Sequence, residues 1–95
     1  MKRIEDNEKR LNSLKQIVFQ LKNDLDSFES NISEYQSLNQ YYGSKDWFLD
    51  KTHFEKGKYP NLKAGVLSED AVWNLDEEVS EILSQMKEIL ERMRS

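Results

Sequence analysis

The residues able to do chemistry are few and scattered. His53 is the only histidine, and the chain has no cysteine. Asp50-Lys51-Thr52-His53 has the i, i+3 spacing of a carboxylate–histidine pair. Di-iron bundles need two such motifs with further glutamates, and here there is one. Glu77, Glu78 and Glu81 cluster in the last third, a pattern that a solvated helix face explains as well as a cation or a basic partner does. Asp46, Asp50 and Asp70 flank an aromatic-rich segment. There they fit helix capping or hydrogen-bond acceptance from Tyr41, Tyr42, Trp47 and Trp73, whose hydroxyl and indole groups need partners wherever the rings are buried. No phosphate-cradling glycine loop and no Gly-x-Ser-x-Gly elbow is present. Catalysis, a bound cofactor and a metal are therefore not expected, and the chain reads as a non-enzyme. Tyr41, Tyr42, Trp47, Asp50, Asp70 and Trp73 form the candidate interaction surface. Phe19 is added because it lies off the apolar seam of the first helix.

Two long amphipathic segments must position these groups. In the first, apolar residues fall at Leu11, Leu14, Val18, Leu21, Leu25, Phe28, Ile32 and Tyr35 in alternating steps of 3 and 4. This is a heptad seam with Leu11 at a and Leu14 at d. Ile4 continues it backwards, Asn7 and Asn39 occupy seam positions near the ends, and Ile17 and Leu38 widen it. No Pro or Gly interrupts residues 1–42, so one helix of about 38 residues is expected within about 3–42, about 57 Å long at ~1.5 Å per residue. In the second segment Val72, Leu75, Val79, Ile82, Met86, Ile89 and Met93 repeat the pattern, and Leu83 and Leu90 broaden it to a bundle-type face. Ser68 is the expected N-cap of a helix over 68–94. Glu69 and Asp70 fall in its first turn, and Leu67 and Val72 are spaced as a hydrophobic staple.

All three glycines, the only proline and most of the aromatics concentrate between the two helices or at their border. Gly43 is expected to end the first helix and Ser44 to cap a short second one carrying Trp47 and Phe48. Gly57 is expected to stop that helix, and Pro60–Ala64 to form a helical turn closed by Gly65. A connector this aromatic reads as a packed lid. The expected fold is all-α: a single domain, 1–95, forming a long antiparallel helical hairpin of coiled-coil character, with a short-helix aromatic connector over 43–67. The two helices differ in length, and a lone hairpin of 95 residues buries little surface, so a homodimer completing a bundle is expected.

Charge narrows the partner classes. The net charge is −4, divided as −1 over residues 1–42, +2 over 43–67 and −5 over 68–95. Without a basic stripe, nucleic-acid binding is not expected. No apolar run approaches the roughly 18 residues that span a bilayer, and the first residues turn acidic at once, so neither a membrane span nor a signal peptide is expected. A cytoplasmic protein is the default reading. These features favour a helical protein–protein interaction module. Three alternatives stay open: a small acidic inhibitor of a basic partner, a helical-hairpin secretion partner, and a small-ligand binder at the aromatic connector.

The string Tyr41-Tyr42-Gly43-Ser44-x-x-Trp47-x-x-Asp50, followed by Gly57-x-x-Pro60 and Gly65-Val66-Leu67-Ser68-Glu69-Asp70, resembles a family of small bacterial proteins, domain of unknown function 4298. The likeness extends over almost the whole chain, with the segment Pro60–Gly65 one residue shorter than the family pattern. The resemblance implies a bacterial or phage origin and a helical fold, and it implies no activity.

Overall fold

The computed structural model describes residues 1–95. It is all-α, as the two seams require: helices α1 (Lys2–Ser30), α2 (Ile32–Tyr41), α3 (Lys45–Glu55) and α4 (Ala71–Arg94), with a 3₁₀ turn at Gly65–Leu67 before α4. The chain divides into two compact units, Met1–Gln36 and Ser37–Ser95.

The first unit is almost entirely α1. Its heptad seam lies on one face, yet none of its residues is buried, and Leu11, Leu14, Val18 and Leu21 are all about half exposed or more. Short-range side-chain contacts decorate the other faces. Lys22 pairs with Asp26 at 2.8 Å, and Gln20 donates to Asp24 at 2.9 Å. Exposed i, i+4 contacts of this kind contribute a few tenths of a kcal/mol each.

The single helix expected over 3–42 is divided at Asn31. Asn31 Nδ2 and Ser30 Oγ both donate to the carbonyl of Ser27, at 2.8 and 3.0 Å. The backbone N–H of Asn31 turns instead to Phe28, tightening the chain to an i→i+3 bond before Tyr35 N–H restores the i→i+4 pattern onto Asn31. Side chains competing for a helical carbonyl are the reason Ser and Asn disfavour helix interiors.

The second unit begins in α2, which ends where Gly43 adopts φ 77°. Ser44 then serves both helices, its Oγ donating to the carbonyl of Tyr41 at 2.6 Å and accepting the N–H of Trp47 at 3.2 Å. α3 closes with a complete Schellman motif. Gly57, also at φ 77°, donates to Phe54, and Lys58 donates to His53.

Beyond α3 two expectations are corrected. Pro60 does not open a helical turn. It sits inside a tight turn closed by Leu62 N–H on Tyr59 C=O at 3.1 Å, where its fixed φ is equally at home. Gly65 starts the 3₁₀ turn rather than closing a helix. The last helix begins at Ala71, later than expected. Ser68 Oγ does accept the N–H of Ala71 at 3.1 Å, but Glu69 and Asp70 form a turn ahead of the helix, and Asp70 makes no side-chain cap.

The buried core is small and lies wholly in this unit: Trp47, Leu67, Val72 and Val79. The 3₁₀ turn touches both α3 and α4. Leu67 and Val72, the expected staple pair, are both part of the buried core. Further along α4 the seam opens to solvent, with Ile82, Met86 and Ile89 exposed. Arg92 and Arg94 occupy its last turn, where the helix dipole favours cations.

Candidate functional site

Trp47 is the centre of the connector. Capping by Ser44 fixes the first turn of α3, and from it the indole points inward to 4 % exposure. Its Nε1 donates to the backbone carbonyl of Val66 at 2.9 Å, tying α3 to the 3₁₀ turn. The ring meets Tyr42 edge-on at a centroid distance of 5.2 Å and Phe48 at 4.9 Å. Edge-to-face pairs of this geometry contribute about 0.5–1.5 kcal/mol beyond burial. Lys51, one helical turn after Trp47, places Nζ 5.1 Å from the indole centroid and 3.1 Å from Glu69 Oε1.

The two tyrosines at the end of α2 fasten neighbouring points. The Tyr42 hydroxyl donates to the backbone carbonyl of Glu69. The Tyr41 hydroxyl donates to Asp50 Oδ2 at 2.7 Å. That bond to the carboxylate, with partial burial and the negative charges of Asp50 and Asp46, pushes the Tyr41 phenol up from 10.0 to about 12. No buried side-chain nitrogen or oxygen is left without a partner.

Of the seven expected surface residues, the structure brings together Tyr41, Tyr42, Trp47 and Asp50, and it uses them inside the connector. Asp70 is exposed at the start of α4 and joins none of them. Trp73 is 53 % exposed on α4, beside a shallow depression lined by Asp76, Glu77, Ser80 and Glu81. It is not a core residue and takes no part in an aromatic box with Trp47. Phe19 is exposed on α1, where it lines an apolar groove with Leu11, Leu14, Lys15, Val18 and Lys22. His53 is half-buried, and no group of three or more His, Asp or Glu side chains converges anywhere in the chain. No helix is long and apolar enough to cross a membrane.

Four members of the knot, Lys51, Phe48, Glu69 and Val66, are absent from the surface expected on sequence. Lys51 stands at i+4 from Trp47, a spacing from which its contact with the ring was available. The acceptors on Val66 and Glu69 are backbone carbonyls, which no residue type marks. The connector also holds a cleft of about 280 Å³ lined by Tyr41, Asp50, Tyr59, Leu62, Lys63, Ala64, Val66 and Leu67. That is just below the range of ligand-binding cavities, which run from about 300 Å³.

The fold and the aromatic knot define a small all-α domain: long amphipathic helices and a connector locked by a buried tryptophan and two tyrosine hydroxyls. The sequence profile of the family Domain of unknown function (DUF4298) matches residues 4–89, and the chain belongs to that family. No curated protein and no solved structure matches it.

Proposed function

We propose that this member of the family is a non-enzymatic helical interaction module of the bacterial cytoplasm, working by self-association through the seam of α1. One observation carries the reading. Leu11, Leu14, Val18, Leu21, Leu25 and Phe28 form an unbroken heptad face on a 29-residue helix that buries none of them. Contiguous exposed apolar surface of this extent marks an interaction site, and a strict a/d repeat suits another helix of the same kind. The aromatic connector then has a structural role, since Trp47 and the Tyr41 and Tyr42 hydroxyls are engaged within it.

Sedimentation equilibrium of the full chain across the micromolar range tests this. Twice the chain mass, with a measurable dissociation constant, is the expected result. A monomer throughout, with full helicity, refutes it.

A further inference from the structure

We propose that two copies pair antiparallel along α1, in a register that sets Leu11 of one copy opposite Leu21 of the other and Leu14 opposite Val18. The inference rests on the self-association proposed above and adds orientation and register to it. It is carried by the charges beside the seam.

With Leu11 at a and Leu14 at d, the g positions of α1 are Arg3, Arg10, Ile17 and Asp24, and the e positions are Glu8, Lys15, Lys22 and Glu29. Parallel pairing in register sets each g residue against the e residue five positions later in the second copy. Arg3 would then meet Glu8, but Arg10 would meet Lys15 and Asp24 would meet Glu29. By symmetry each like-charge contact occurs twice.

Antiparallel pairing sets a against d, g against g and e against e. In the proposed register Arg10 faces Asp24 and Glu8 faces Lys22, each pair again formed twice. Ile17 meets its own copy across the two-fold axis, and Lys15 facing Lys15 is the one like-charge contact. Ile4 falls opposite Phe28, so the overlap takes in the part of the seam that lies on α1, from Ile4 to Phe28. Sliding by one heptad in one direction brings Glu8 against Glu29 and Lys15 against Lys22. Sliding the other way leaves Leu25 and Phe28 uncovered. Like-charge contacts exclude the first alternative and lost apolar overlap along α1 excludes the second, which leaves the proposed register.

The groups involved are free to re-pair. In the structure Arg10 bonds Asn7, Asp24 accepts from Gln20 and Lys22 pairs with Asp26, all exposed contacts within one helix. The Phe19 groove borders the e side of the seam, where the Lys15 and Lys22 stems extend the covered surface.

Charge reversal gives opposite signs for the two orientations. Dissociation constants would be measured by sedimentation equilibrium at low salt on the full-length chain, with circular dichroism verifying helicity. In the antiparallel dimer Arg10→Glu and Asp24→Arg each weaken association roughly tenfold, and the double variant returns to within about twofold of the parent. In a parallel dimer each single substitution relieves a repulsion and tightens association. Tightening by either single variant, or a double variant no tighter than the singles, overturns the antiparallel register and leaves self-association standing. A monomeric parent chain, its seam met by another helix or by a different protein, overturns both.

Discussion

Trp47 and Tyr41 show how much of the connector rests on single side chains. Trp47 is the largest of only four buried apolar residues, and its N–H holds the Val66 carbonyl. Trp47→Ala should therefore cost about 3–5 kcal/mol in urea denaturation, as large buried aromatics do. Trp47→Phe keeps much of the apolar contact but orphans that carbonyl, for a loss of about 1–3 kcal/mol. Tyr41 makes a prediction about pH. Its phenol is raised to about 12 in the folded chain, against the ordinary 10.0 of an unfolded one, so the fold binds this proton more tightly than the unfolded chain does. The stabilisation is complete below pH 10 and is lost as the pH climbs through 12. Tyr41→Phe removes it, so the gap in melting temperature between parent and variant should be constant up to about pH 10 and shrink above it. A gap that stays constant to pH 12 would show that the hydroxyl does not hold its proton through Asp50.

At the scale of elements, periodicity was the legible signal and local side-chain competition was not. Both long helices follow from apolar steps of 3 and 4, and Ser44 and Gly57 were readable as cap and stop because cap chemistry is local. Asn31 lies within an unbroken seam, so nothing in the pattern announces that its amide takes the Ser27 carbonyl. Replacing Ser30 and Asn31 together by Ala should restore one continuous helix. Stability should rise by about 1 kcal/mol from helix propensity alone, and amide exchange should slow at residues 31–35. Exchange unchanged there would mean the division has another cause. Pro60 is ambiguous on sequence because its fixed φ serves the second position of a turn as well as the first of a helix. Trp73 carries the same chemistry as Trp47, but it follows Val72 by one residue and so lies off the apolar seam of α4, where its ring is exposed. The glycines divide in the same way. Gly43 has φ 77° and open space around it, whereas Gly65 has open space without the positive φ. Gly43→Ala should thus cost about 1 kcal/mol in thermal unfolding through backbone strain alone, and Gly65→Ala should be close to neutral.

For the whole molecule, the two units answer to different stabilising forces. The unit 37–95 has its own buried side chains and its own network of hydrogen bonds from Tyr41, Tyr42 and Trp47. α1 has only intrahelical bonds and weak surface pairs, and helices in that position draw most of their stability from packing an apolar face. If that packing comes from a second copy, the helicity of α1 must depend on concentration while the surroundings of Trp47 do not. A Trp73→Phe chain keeps Trp47 as the only indole and alters a side chain that is already exposed. On dilution from high to low micromolar concentration, its far-ultraviolet helical signal should fall while the Trp47 emission maximum stays in place. Heated at several concentrations, the helical signal should show a midpoint that rises with concentration, and the fluorescence midpoint should hold still. Two probes that move together, or neither moving with concentration, would place the stability of α1 somewhere other than in a second copy of the chain.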